Sequence, residues 1–189
     1  MRYFMLAVVA AAAVLTGCAP AVSIHPMYTA QDLVADAALE GKWADDDSGE
    51  VWQIAKAGAN LADGYDVTVF HPGDSPSTES FHIHVLRLQG MEPGMEFADA
   101  VSKGDPGLGI VGHVIVKIHV QGDELRVALM SDAWLKTMVE AGLAPQPVTD
   151  QESGRIILTG STGELRQFLA QHAADAGVWD EDGGLHRVH

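Results

Sequence analysis

The chain has 189 residues, 47% of them hydrophobic, with 11 Lys and Arg against 26 Asp and Glu and a formal net charge of −15. That length suits one domain with a sizeable core. So acidic a surface is repelled by nucleic acid and by anionic head groups, which excludes DNA, RNA or peripheral lipid as partners of the folded body.

The chain starts with a short basic stretch, Met1-Arg2-Tyr3, followed by twelve residues without charge from Phe4 to Leu15. A membrane-spanning helix needs about 20 apolar residues. A charged start, a short apolar core and small residues at its end make a secretory signal peptide instead. Its last residues are Leu15-Thr16-Gly17-Cys18, and Cys18 is the only cysteine in the chain. This ending resembles the lipobox of the bacterial lipoproteins. The resemblance implies cleavage after residue 17, diacylglycerol on the Cys18 thiol and acylation, as by palmitate, of the new amine. One acyl chain binds a membrane marginally, whereas two or three hold it in effect permanently. Cys18 is then a lipid anchor rather than a redox centre, and it joins the protein to the membrane. In that family an Asp after the cysteine commonly retains the protein in the inner membrane. Ala19 stands there, which implies the outer membrane, inner leaflet, facing the periplasm. Taking 17 residues from 189 leaves 172, and the loss of Arg2 takes the charge from −15 to −16. The expected organisation is a signal peptide over 1–17, the lipidated cysteine and a tether over 18–29, and one β-rich domain over 30–189.

From residue 30, "AQDLVADAAL" predicts a turn or two of helix, and period-2 alternation between turn residues then predicts antiparallel strands. The expected strands are 39–44, 50–56, 64–71, 79–88, 95–101, 113–120, 124–130 and 155–160. Trp52 and Ile54 share a face, as do Tyr65, Val67 and Val69. Phe81, Ile83 and Val85 oppose His82 and His84, and Val114, Val116, Ile118 and Val120 oppose His113, Lys117 and His119. A helix is expected over 131–142, with Ser131 as N-cap, an apolar stripe at Leu135, Met138 and Val139, and Gly142 as its stop. A second follows residue 160, where Ser161 and Glu164 form a capping box. Leu165, Phe168, Leu169 and His172 make one face of it. The polar tail "DEDGGLHRVH" reads as loose at its end.

The fold expected is mainly β (α+β), a curled antiparallel sheet or small barrel of about eight strands with two helices in the C-terminal third. Gly41-x-Trp43 on the first strand resembles the Gly-x-Trp of the lipocalins and implies a lipocalin-like barrel with Trp43 buried at its floor. The chain departs from that family in lacking its second motif and a disulfide, and in placing a helix between the seventh and eighth strands. The whole pattern also resembles uncharacterised bacterial lipoproteins with a Gly-x-Trp first strand and a terminal strand–capped-helix unit. That likeness carries no activity with it.

Three constellations are candidates for chemistry. His82 and His84, with His119 from another strand, are candidate metal ligands, since two histidines of one strand and a third from a neighbour can hold zinc with a position left for water. No cysteine or dense ligand motif accompanies them, so the outward faces of strands explain them more simply and zinc is not expected as a cofactor. Thr159-Gly160-Ser161-Thr162-Gly163 lies between a strand and a helix, as in a hydrolase nucleophile elbow, but Thr159 stands where that motif needs glycine. Asp45-Asp46-Asp47-Ser48-Gly49-Glu50 and Asp180-Glu181-Asp182 are acidic, yet neither has the length or the flanking helices of an EF-hand. The function expected is therefore non-enzymatic, with no catalytic residue: binding of a small apolar ligand or scaffolding of an envelope partner. The alternatives are a metal-dependent envelope hydrolase using the histidines and a structural or assembly lipoprotein without ligand.

Overall fold

The computed structural model describes residues 20–91, 95–104, 111–180 and 183–189. The expected signal peptide and lipobox, with Cys18, and the acidic Glu181-Asp182 lie outside the described residues. In chain order the strands are β1 (Val22–Ser23), β2 (Gly41–Ala44), β3 (Val51–Lys56), β4 (Tyr65–His71), β5 (Ser77–Leu86), β6 (Glu96–Ser102), β7 (His113–Gln121) and β8 (Glu124–Leu129). Helix α1 (Asp132–Glu140), β9 (Pro147–Thr149), β10 (Ile156–Leu158), α2 (Thr162–His172) and β11 (Gly183–Val188) complete it.

Strands β2 to β8 form a continuous antiparallel meander, and β6 pairs with β7 as well as β5. The ring is closed by β11, which pairs with β8 on one side and β2 on the other, both antiparallel. The result is a closed eight-stranded barrel, in which no member strand leaves a long unpaired edge. Two expectations are corrected here. The stretch around Ile156 is not the eighth barrel strand: β10 pairs with β9 and, in parallel, with β1 in a small ladder beside the barrel. The eighth is β11, in the tail expected to be loose. Of that strand's inward positions, Gly183, Leu185 and Arg187, only Leu185 is apolar and buried, so its apolar alternation is almost invisible in the sequence.

Inside the barrel, Leu39, Trp43, Ile54, Val67, Ile83, Val85, Ile118, Leu125 and Leu185 make one buried cluster. A second cluster lies against the outer wall, where Leu86, Phe97 and Ile115 meet Leu135 of α1 and Leu165, Phe168 and Leu169 of α2. Each fully buried side chain of this size contributes about 1.5–3 kcal/mol, so α1 and α2 are fixed by their apolar stripes. Helix α2 carries both halves of the expected capping box. Ser131 stands at the start of α1 without a side-chain capping bond, and Gly142 ends that helix at φ 70°.

The floor is built from the expected residues and one unexpected one. Trp43 is wholly buried, and its Nε1 donates to the Leu39 carbonyl at 2.9 Å. The Arg187 guanidinium lies 4.1 Å from the Trp43 ring, a cation–π distance, and donates to the carbonyls of Glu40 (2.8 Å) and Ala38 (2.5 Å). Gly41 makes this possible, because at φ 132° a Cβ there would lie 2.8 Å from the Arg187 guanidinium. The helix expected over residues 30–39 is reduced to a single 3-10 turn, Ala37–Leu39.

The stretch read as a tether lies against the barrel. Ser23 pairs with His113 of β7 and Met27 is buried, and just after the tether Leu33 bridges to Leu86. The segment then runs under the floor, where the Tyr65 hydroxyl accepts from Asp36 N at 2.9 Å.

Candidate functional site: the mouth of the barrel

The alternation that builds the inward face also decides where the site lies. At the floor end most inward side chains are buried, with Val120 half-buried. Towards the opposite end, where the turns after β2, β4 and β6 lie, inward residues Trp52, Phe81, Ala100, Val116 and Val127 are only half-buried. Leu129, paired with Val116, is 41% exposed. Trp43 is therefore packed at the floor, and the inward apolar side chains above it are left partly uncovered at the mouth.

Three inward rows end at this mouth on polar residues. The row Trp52–Ile54 of β3 starts from Glu50, the row Tyr65–Val67–Val69 of β4 ends on His71, and the row Phe81–Ile83–Val85 of β5 starts from Glu79. His71 Nδ1–H donates to Glu50 Oε1 at 2.8 Å, and Trp52 Nε1 points to the other Glu50 oxygen at 3.5 Å. His71 Nε2 faces Glu79 Oε2 at 3.9 Å, beyond hydrogen-bond reach, and this buried nitrogen has no hydrogen-bond partner. The nearby cation, Lys103, is held on the outer face by Asp66 at 2.7 Å. The Lys103 ammonium, and after it the His82 imidazole, hold the Asp66 carboxyl below its ordinary range. The signal for the mouth cluster was present in the sequence. Each of its members continues an apolar period-2 row by one more step.

The expected histidines lie elsewhere. His82 and His84 share the outer face of β5 with ring centroids 4.8 Å apart, and His119, exposed on β7, is separated from them by the whole of β6. His84 is fully engaged. Its Nε2–H donates to the Ala62 carbonyl at 2.9 Å, which leaves Nδ1 to accept from the Tyr28 hydroxyl at 3.0 Å. His82 Nδ1–H donates to Asp66 at 3.0 Å. Both rings pack around Gly64, where a Cβ would come within 2.3 Å of the Ile83 carbonyl oxygen. Among the described residues no group of three or more His, Cys, Asp or Glu side chains is arranged to hold a metal ion. Ser161 serves the capping box, with its hydroxyl and backbone N–H both on Glu164 (2.7 and 2.8 Å). Those bonds, the hydroxyl first, hold Glu164 below the usual carboxylate range. Asp45 closes the β2–β3 turn, accepting from the Ser48 hydroxyl and the Asp47 N–H, which lower its pKa in that order.

Two buried carboxylates fasten the N-terminal segment, and sequence reading missed both. Asp99, 1% exposed on the outer face of β6, accepts from His113 Nδ1–H at 2.6 Å and from Met27 N at 3.0 Å. Asp32, 2% exposed, accepts from Arg166 of α2 at 2.6 Å and from both the N–H and the hydroxyl of Thr29. Burial works to raise the Asp32 pKa, and the Arg166 and Thr29 donors outweigh it and hold the carboxyl below its ordinary value. Two of their partners, Met27 and Arg166, lie 72 and 134 residues away in sequence, where no local spacing rule reaches. Among the described residues no helix is long and apolar enough to cross a membrane. Compared with protein-family models, curated proteins and solved structures, the chain matches none.

Proposed function

We propose that this protein is a non-enzymatic lipoprotein of the bacterial envelope, anchored through Cys18 to the outer membrane, whose barrel holds the apolar part of a small ligand. One observation carries the reading. The barrel is sealed at one end by Trp43 and Arg187, yet keeps inward apolar side chains partly uncovered at the other. Eight strands enclose a space that side chains can just fill or that can hold one small ligand, and uncovered inward apolar surface favours the second use. Small pockets of this kind take most of their affinity from apolar lining and their specificity from a few polar groups.

The test separates the anchor from the cup. Cys18→Ser should abolish labelling by radioactive palmitate in a bacterial host, and unchanged labelling with unchanged membrane fractionation would refute the anchor. In the mature chain bearing Cys18→Ser, Ala100→Trp should fill the cup above Trp43. The expected result is loss of binding of short-chain alcohols by isothermal titration with an unchanged denaturation midpoint. Undiminished binding would refute the cup.

A further inference from the structure

We propose that the outward sheet face of β1, β10 and β9 rests on the lipid bilayer that holds the Cys18 anchor. The inference depends on reading Cys18 as lipidated and goes further by naming the surface that meets the lipid. Its ground is register. Val22 pairs with Ile157 and Ile157 with Val148, so the three side chains stand in one row on one face of the ladder. The other face turns Ile156 and Leu158 into the cluster beneath the helices, where both are buried. The row itself stays open: Val22 and Ile157 are half-buried and Val148 is 53% exposed. Ile24, whose N–H donates to the Leu158 carbonyl at 3.1 Å, extends β1 beside it and is 36% exposed. Val111, 49% exposed, adjoins Val22 through Gly112, where a Cβ would lie 3.6 Å from the Val22 side chain. Contiguous exposed apolar side chains of this kind mark an interaction surface.

What covers that surface follows from the chain ahead of it. Only Ala19, Pro20 and Ala21 separate Cys18 from Val22, and Ala21 is already buried. Four Cα steps span about 14 Å at most, so the acyl chains are attached within that reach of β1 whatever path the chain takes. A body this acidic has no attraction of its own for anionic head groups. Held by its acyl chains, it must nevertheless turn some face to the bilayer, and the face beside the attachment is the apolar one. The aspartate-rich turn Asp45–Asp47 joins β2 to β3, across the ring from β7 and β1, and so is carried away from the contact. An apolar face held against a bilayer settles at the boundary between head groups and acyl chains, which suits valine and isoleucine side chains.

The experiment uses the full chain, lipidated in a bacterial host and reconstituted into phosphatidylcholine vesicles. A thioether at Cys18 consumes the chain's one thiol, so a single introduced cysteine alone takes a fluorescent label. Val148→Cys puts the label on the ladder face, and Gln121→Cys puts it at the floor end of β7. Both positions are exposed, and both variants should keep the parent's urea midpoint. With a nitroxide on the lipid head groups, the label of Val148→Cys is expected to be quenched about fivefold more strongly than that of Gln121→Cys. Equal quenching, or stronger quenching in Gln121→Cys, would overturn the assignment of the face and leave the anchor standing. A second reactive thiol in each variant, with chains that fail to float with the vesicles, would overturn the anchor and the assignment with it.

Discussion

Removing the Trp43 ring tests the floor most directly. Trp43→Ala takes away a wholly buried indole, for which truncations cost about 3–5 kcal/mol. It also removes the Nε1 bond to the Leu39 carbonyl, whose net contribution is about 1 kcal/mol. Arg187→Ala removes two charge-assisted bonds to carbonyls at the barrel end, each about 1.5–3 kcal/mol when water cannot replace it. Here water partly can, since this end is exposed, so a total of about 2–3 kcal/mol is expected. The two side chains touch at 4.1 Å, so their effects should not add. A cation–π contact with a partly desolvated guanidinium gives about 1–2 kcal/mol, and the double variant should fall short of the sum by that amount. Urea unfolding of the parent, both single variants and the double variant measures all four free energies on one scale. Against a domain stability of about 5–15 kcal/mol, the Trp43→Ala midpoint must shift visibly. Strict additivity, or a Trp43→Ala cost below about 1 kcal/mol, would show that the floor is not a packed unit.

Two further outcomes follow from the buried anchoring points. Asp32 has a folded pKa below its ordinary value, so its contribution is complete above about pH 4–5 and is lost as pH falls through the folded value. Asp32→Asn should therefore cost about 2–3 kcal/mol at pH 7 and flatten the acid limb of a stability–pH curve from chemical denaturation; a limb parallel to the parent's would refute the assignment. Gly64→Ala, at φ 63° with the Ile83 oxygen 2.3 Å from the new Cβ, should destabilise by about 1–3 kcal/mol and displace the His82 and His84 rings, visible as shifted imidazole resonances.

The barrel wall was legible because β3, β4, β5 and β7 alternate strictly, so each strand carries its inward face in its own residues. Trp43 was legible for the same reason, aided by the glycine two residues before it. β11 was not, because two glycines, two exposed positions and a charged inward residue leave it a single buried apolar side chain, Leu185. Its strand character comes from the two edges waiting for it rather than from its own propensity. The mouth cluster was hidden differently. Glu50, His71 and Glu79 lie within the expected strands and obey the alternation, yet three polar residues at the ends of separate rows show no grouping until the folded barrel brings those rows side by side. Asp32, Asp99 and Arg187 act across the chain, and only the folded barrel brings their partners within reach.

The late position of β11 has a consequence for how the chain is made. β2 and β8 are complete by residue 129, but the strand that joins them comes only at residues 183–188. A chain emerging from its amino end is thus an open curled sheet with two unsatisfied edges until its last few residues arrive, and such edges invite pairing with other chains. Joining β2 to β11 is also the most distant strand pairing among the described residues, which places closure late and makes it slow. A copy cut short by even six residues forfeits its seam, and is an open sheet rather than a weakened version of the same barrel.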